Sequence, residues 1–161
     1  MTGRKWSLDL ALDVAESIQR ALIGTCARVE IVGSLRREKP MVHDIDILLI
    51  PISAGKMAQT LQGLADAGTL RLAPKIIKLT CRGIPVDVYV ADPETWGVLQ
   101  MIRTGSKEHN MWMIQEAKKV GWKIHAEGWL ESPTGDRVTC MREHDVFVTV
   151  GIPYKAPTAR D

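Results

Sequence analysis

Two aspartates, Asp44 and Asp46, are separated by one residue at the start of an apolar run that ends at Ile50. If this run is a strand, both carboxylates project from the same face, because strand side chains alternate between faces. Carboxylates about 7 Å apart along a strand repel each other unless a cation lies between them. The pair therefore indicates a site for a cation.

A third aspartate, Asp87, lies in a run rich in β-branched residues at 84–90. This run and residues 76–81 flank the dipeptide Arg82-Gly83, which predicts a β-hairpin. If the second arm of the hairpin lies beside the first strand, the three carboxylates share one face. Such carboxylates, without cysteine or histidine ligands, favour Mg²⁺, with Mn²⁺ as a possible substitute. Two of these ions about 3.5–4 Å apart assist in-line displacement at phosphorus.

The segment before Asp44 contains residues suited to binding an anion. Gly33 allows the backbone to approach a ligand closely, and N–H groups exposed after a strand form an anion-binding concavity. The Ser34 hydroxyl and the Arg37 guanidinium are further donors for a terminal phosphate. An Asp-x-Asp pair alone is usually a solvated surface, but its combination with this turn and with Asp87 is far more specific.

The elements that position these residues follow from the spacing of apolar residues. Ser7 is a candidate N-cap for an amphipathic helix that ends near Gly24. Other helical segments are predicted at 35–38, 55–67, 95–103 and 109–120, and before Gly151. Strands are predicted at 28–32, 44–50, 76–81 and 84–90, with shorter strands at 123–124 and 129–131.

These elements fall on either side of a change in composition at residues 91–93. The first part combines a mixed β-sheet with flanking helices, and the second part is a smaller α+β lobe. We therefore predict an α+β fold with two domains, residues 1–91 and 92–161.

The composition is that of an ordinary soluble globular protein, since 45% of the 161 residues are apolar and 25% are charged. The net charge of +2 permits a nucleic-acid partner without identifying one. Three scattered cysteines favour reduced thiols and a cytoplasmic location: Cys26, Cys81 and Cys140. The sequence shows neither a signal peptide nor an apolar run approaching ~18 residues, so no membrane association is expected.

These residues resemble a known family, the family X DNA polymerases, over nearly the whole chain. Three motifs of this chain are similar to the palm of that family: Gly33-Ser34-Leu35-Arg36-Arg37, Asp44-Ile45-Asp46 and Val86-Asp87-Val88. Residues 104–110, Thr-Gly-Ser-Lys-Glu-His-Asn, are similar to the start of the family's nucleotide-binding helix. Gly-Ile-Pro-Tyr at 151–154 resembles the family's Leu-Gly-Leu-Pro-Tyr run. Residues 32–38 are especially similar to very small viral members, so a bacterial or a virus- or phage-encoded protein is expected.

The resemblance implies a nucleotidyltransferase palm in residues 1–91 and a nucleotide- and DNA-binding lobe in residues 92–161. Asp44 and Asp46 would bind both metals, and Asp87 would bind the catalytic one and help activate the primer 3′-hydroxyl. The phosphates of the incoming nucleotide would be held by Gly33, Ser34 and Arg37. No lyase domain and no helix-hairpin-helix domain is expected.

The resemblance also implies roles for the second lobe. Gly105 and Ser106 would line the sugar, and Asn110 would reach the minor-groove edge of the incoming base. Basic residues outnumber acidic ones on these helices and could follow a DNA backbone, although a solvated helix face explains them equally well. The candidate DNA-binding residues are Arg103, Lys107, His109, Lys118 and Lys119.

The predicted function is a DNA-directed DNA polymerase that adds dNTPs to a primer, with short-gap filling in DNA repair as its task. The expected partners are gapped or primer-template DNA, a dNTP and two Mg²⁺ ions, and the expected state is a monomer. Ile102-Arg103 stands where the family has an aromatic pair against the sugar, and Ile114 stands where it often has an arginine near the template. Template-independent or ribonucleotide addition therefore stays an alternative. A non-catalytic nucleic-acid-binding module is a third, against which the three carboxylates argue.

Overall fold

A four-stranded mixed sheet forms the centre of the first unit of the chain. The computed structural model describes residues 3–161, and the chain divides between Ala91 and Asp92 into two compact units. Among the described residues, no helix is both long and apolar enough to cross a membrane.

The described residues of the first unit form nine elements. They are β1 (Trp6–Ser7), α1 (Leu8–Leu22), β2 (Cys26–Val32), α2 (Gly33–Arg36), β3 (Met41–Val42), β4 (Ile45–Pro51), α3 (Ala54–Leu64), β5 (Ile76–Cys81) and β6 (Ile84–Val90). The main sheet has the strand order β2-β4-β6-β5. Strand β4 is antiparallel to β2 and parallel to β6, and β6 is antiparallel to β5. Strands β1 and β3 form a separate two-stranded sheet.

Helix α1 begins after Ser7, as the sequence predicts. The Ser7 hydroxyl accepts a hydrogen bond from the Leu10 amide at 3.3 Å, an N-cap that stabilises a helix by about 1 kcal/mol. The helix buries its apolar stripe in the same core cluster as the apolar side chains of β4 and β6. Its buried residues are Ala11, Val14, Ala15, Ile18 and Leu22.

The second unit consists of three helices and a small antiparallel sheet. Its elements are α4 (Trp96–Thr104), α5 (Lys107–Lys119), β7 (Lys123–His125), β8 (Trp129–Glu131), β9 (Arg137–Val138), α6 (Glu143–Val150) and a 3₁₀ turn at Pro157–Ala159. The strand order is β7-β8-β9. Helix α4 packs closely at Gly97, where a Cβ would lie 2.5 Å from the carbonyl oxygens of Cys140 and Arg142.

A buried ion pair fastens the last residues to the rest of this unit. Arg160 is fully buried, and its guanidinium donates to both carboxylate oxygens of Glu143, at 2.6 and 3.0 Å. The Arg160 carbonyl accepts a hydrogen bond from the Ser106 amide at 3.2 Å. The pair therefore holds the chain against the start of α5, where the sequence predicts nucleotide contacts.

The predicted α+β class with its mixed sheet is confirmed, while several element boundaries differ. The strand predicted at 44–50 begins at Ile45, so Asp44 lies in the preceding loop. The predicted helical turn at 35–38 lies instead at Gly33–Arg36. Helix α5 begins at Lys107 rather than at 109, because the Ser106 hydroxyl caps it by accepting from the His109 amide at 3.1 Å. The two-residue strands were missed because they are too short to show a period.

Candidate metal centre

Three carboxylates converge beside the two central strands of the main sheet, β4 and β6. One oxygen from each of Asp44, Asp46 and Asp87 lies within 4.8 Å of the others. Asp46 and Asp87 are register partners on the parallel strands β4 and β6, which brings their side chains to the same face. Asp44 reaches the cluster from the loop before β4. The structure thus brings together the three residues that the sequence singles out.

Two neighbouring side chains donate to this cluster, and sequence analysis missed both. The Lys78 ammonium donates to Asp87 Oδ1 at 3.0 Å, and the Tyr89 hydroxyl donates to Asp46 Oδ1 at 3.2 Å. The position of Lys78 could have been predicted from the hairpin turn. A two-residue turn at Arg82-Gly83, with positive φ at both residues, determines the hairpin register and sets Lys78 opposite Asp87.

The electrostatics of the cluster are those of like charges held close together. Burial raises the pKa of the Asp44 carboxyl above its ordinary range, and the charge of Asp87 raises this pKa further. His43, a hydrogen bond with Asp46 and the charge of Lys78 oppose the rise. A divalent cation among the carboxylates would favour their charged forms and reverse it.

Gly33 is required by the position of the Asp46 side chain. Its φ of 66° lies in the left-handed region, which other residues adopt only with strain. A Cβ at this position would overlap the Asp46 carboxylate. The glycine therefore lets the backbone between β2 and α2 pass directly beside a cluster carboxylate.

An open cleft of about 470 Å³ connects the cluster with the predicted phosphate site. Ser34 and Arg37 line it together with Asp44 and Asp46. Lys39 and His43 also line it, although the sequence assigned no ligand contact to either. Cationic and hydroxyl donors thus lie in the same cleft as carboxylate acceptors, which suits a phosphate bridged to carboxylates through cations.

The donor set of the cluster fits a hard divalent cation. It consists of carboxylate oxygens, the ligands that Mg²⁺ and Mn²⁺ prefer. The oxygens lie within 4.8 Å of one another, which is close to the ~4.2 Å that can separate two ligands at about 2.1 Å from the same ion.

In the second unit, the predicted sugar and base contacts are held by internal hydrogen bonds. Gly105 and Ser106 are buried at the start of α5, and Ser106 is its N-cap. Asn110 Nδ2 donates to the Ile102 carbonyl at 2.7 Å. Asn110 Oδ1 is buried without a hydrogen-bond partner among residues 3–161.

The candidate DNA-binding residues divide by exposure. Lys107, Lys118 and Lys119 are exposed, whereas Arg103 is half-buried. His109 is only 2% exposed, and its ring centroid lies 5.9 Å from that of Trp112. The structure thus places the His109 side chain in the interior of the unit, and its contact with a phosphate or the template stays a prediction.

Three comparisons relate the chain to known proteins. Residues 100–161 match the family model of the DNA polymerase beta thumb. The chain is 27% identical over 134 residues to the DNA polymerase/3′-5′ exonuclease PolX of Bacillus subtilis (strain 168). The aligned region covers 80% of this chain and 23% of the relative. The chain thus spans about a quarter of the length of that curated relative.

The fold is similar to that of a solved polymerase. The crystal structure of Leishmania infantum polymerase beta, in a ternary P/T complex, superposes with a TM-score of 0.83 at 21% identity. The match covers 98% of this chain and 77% of that one. The resemblance stated from the sequence motifs is thereby confirmed. The thumb match, the sequence relative and the fold together support a likeness to family X polymerases.

Proposed function

We propose that this protein is a nucleotidyltransferase of the DNA polymerase type, which joins a dNTP to a primer 3′-hydroxyl. The observation that carries the proposal is the convergence of Asp44, Asp46 and Asp87 in a cluster within 4.8 Å. The cleft from this cluster to Ser34 and Arg37 supports it, because a triphosphate needs carboxylate-bound cations and phosphate donors together. The similarity to family X polymerases supplies the reaction class.

The three carboxylates are proposed to hold two Mg²⁺ ions, for which Mn²⁺ can substitute. When bound there, the ions would neutralise the charge that develops on the phosphoryl group and would activate the attacking hydroxyl. Asp44 and Asp46 would bind both ions. Asp87 would bind the catalytic ion and help activate the primer 3′-hydroxyl.

The cleft residues position the nucleotide for in-line attack. The Ser34 hydroxyl and the Arg37 guanidinium donate to the β- and γ-phosphates, beside the backbone of Gly33. Lys39, which lines the same cleft, adds a second positive charge. Positioning and charge stabilisation are the main sources of catalysis in phosphoryl transfer.

The second unit is proposed to bind the sugar, the base and the DNA. Gly105 and Ser106 line the sugar, and Asn110 reaches the base. The buried Asn110 Oδ1 lacks a partner among the described residues, and such a group is destabilising by about 1–3 kcal/mol until a donor reaches it. Exposed Lys107, Lys118 and Lys119, with Arg103, contact backbone phosphates of gapped or primer-template DNA.

Short-gap filling in repair by a monomer is the proposed task, and one observation favours a second candidate. Ile114 is 47% exposed on α5, and its side chain has no donor for the acceptors of a minor groove. An enzyme without a donor at Ile114 could extend a primer without a template, and ribonucleotide use would follow from Ile102-Arg103, which stands where the family has an aromatic pair against the sugar.

A primer-extension assay tests these proposals. Gapped duplex, primer-template and single-stranded primer are each offered with labelled dNTP or rNTP, with Mg²⁺ or with EDTA. We expect Mg²⁺-dependent extension of the gapped duplex and a loss of more than about 100-fold in Asp87→Ala, since even outer-shell partners of a metal contribute 10–100-fold. Glu16→Ala, which removes an exposed carboxylate from the same unit, is the matched control.

The outcomes separate the candidates. Unchanged activity in Asp87→Ala would overturn the site. Extension of single-stranded primer, or equal use of rNTP, would establish the second candidate. DNA binding that is the same with and without Mg²⁺, and no turnover with any substrate, would instead identify a non-catalytic binding module.

A further inference from the structure

Lys78 occupies a position that the hairpin dictates. It is the register partner of Asp87 across β5 and β6, and its ammonium lies 3.0 Å from Asp87 Oδ1. The two-residue turn between these strands allows no other pairing of the two side chains without a register shift. A cation is therefore built into the hairpin beside the carboxylate cluster.

The two partners of this ion pair differ in their freedom to move. The Lys78 side chain is 65% exposed, whereas the Asp87 side chain is 22% exposed. The ammonium can leave for solvent without opening the core, because its four-carbon stem is flexible and already outside. Asp87 stays in the sheet, with its carboxylate beside Asp44 and Asp46.

The carboxylate cluster needs a compensating positive charge when no metal is bound. Three carboxylates within 4.8 Å repel one another. Lys78 is a cation that the structure places in hydrogen-bond contact with one of them, and Arg37 and Lys39 line the adjoining cleft. An ammonium at 3.0 Å from a ligand oxygen repels a divalent ion at the same carboxylate.

We propose that Lys78 is an exchangeable counter-ion of the metal centre, which neutralises Asp87 in the metal-free protein and competes with the divalent cation for it. This inference rests on the proposed function, because it assumes that the cluster binds the metal. A purely structural salt bridge and an exchangeable counter-ion make opposite predictions. Removal of a structural partner loosens Asp87 and weakens metal binding, whereas removal of a competing cation strengthens it.

Direct Mn²⁺ binding tests the sign of the effect without any activity measurement. The purified protein is stripped with EDTA, dialysed and titrated with Mn²⁺, with free Mn²⁺ followed by electron paramagnetic resonance. Lys78→Met should bind the first Mn²⁺ roughly three- to tenfold more tightly, a modest gain because water and salt screen an exposed charge. Lys78→Gln, which is also uncharged, should show the same gain.

Two further variants separate charge from fold. Lys78→Arg keeps the charge and should stay within about twofold of the wild type. Lys75→Met removes an exposed lysine three residues earlier in the chain, which forms no ion pair with any residue of the described chain, and should also stay within about twofold. In EDTA, Lys78→Met should melt at a lower temperature than Lys75→Met, and Mn²⁺ should restore it.

Unchanged or weaker Mn²⁺ binding in folded Lys78→Met and Lys78→Gln would overturn the proposal. Tight Mn²⁺ binding by a wild-type protein that transfers no nucleotide would refute the proposed function, and the counter-ion would still be judged by the variants. A wild-type protein that binds no Mn²⁺ would refute both.

Discussion

The metal-free protein should become more stable when one carboxylate of the cluster is neutralised. Asp44→Asn keeps the shape of the side chain and removes a charge that lies within 4.8 Å of Asp46 and Asp87. Two unit charges at this distance repel by about 1 kcal/mol in water. Two such pairs amount to about 2 kcal/mol, and the positive charges near Asp44, those of His43 and Lys78, offset part of it.

We therefore expect Asp44→Asn to raise the free energy of unfolding by about 1 kcal/mol in EDTA at neutral pH, or Tm by about 2–4 °C for a chain of this size. The same substitution should lower nucleotide transfer more than about 100-fold, because it removes a proposed metal ligand. Mg²⁺ should then stabilise the wild type and have a smaller effect on the variant.

The gain in stability should depend on pH in a defined direction. Burial and the charge of Asp87 raise the pKa of Asp44 above its ordinary value of 3.8, so the folded state binds this proton more tightly than the unfolded state. The free energy of unfolding of the wild type therefore falls as pH rises from 3.8 through the raised pKa of Asp44. The advantage of Asp44→Asn should be absent near pH 3.8 and reach its maximum once the wild-type carboxyl has ionised.

Thermal and urea unfolding in EDTA at several pH values measure this difference. Glu16→Gln, which neutralises an exposed carboxylate of the same unit, should change stability by less than about 0.5 kcal/mol. Destabilisation by Asp44→Asn at neutral pH, or an advantage that shrinks as pH rises, would refute the view that the cluster is a set of repelling charges awaiting a cation.

Three further predictions concern single contacts. Gly33→Ala places a Cβ against the Asp46 carboxylate at a positive φ, and should lower stability by about 1–2 kcal/mol; an unchanged free energy of unfolding in urea would contradict the reasoning. Arg160→Met removes the guanidinium that donates to the buried Glu143 carboxylate, and should lower stability by about 3–5 kcal/mol, most of which a second change, Glu143→Met, restores in thermal unfolding. Gly97→Ala forces a Cβ to within 2.5 Å of backbone oxygens, and should lower Tm. A Tm within about 1 °C of the wild type would show that α4 can shift without loss of stability.

Local signals in the sequence were sufficient for much of the fold. The spacing of apolar residues and the Ser7 cap located α1, and the turn at Arg82-Gly83 located the hairpin of β5 and β6. These signals act over a few residues, so neighbouring side chains and backbone preferences decide them. Strands of two residues, such as β1 and β3, have no period and could not be found in this way.

Burial was harder to predict than secondary structure. His109 lies on a predicted helix with charged neighbours, yet it is 2% exposed, because the contacts of α5 within its unit determine which side of the helix is covered. Asp44 belongs to a loop rather than to β4, although its carboxylate still reaches the cluster. Lys39 lines the cleft, a position that depends on how the chain turns after α2.

The sequence by itself determined the chemical components of the proposed site: an Asp-x-Asp pair, a third aspartate on a strand, and a glycine-serine turn followed by Arg37. Only the tertiary structure decided that β4 and β6 lie side by side in parallel, with Asp46 opposite Asp87. The two strands are far apart in the chain, and no local signal pairs them. Their pairing depends on the shared core beneath the sheet, and it is this pairing that turns isolated carboxylates into one cluster.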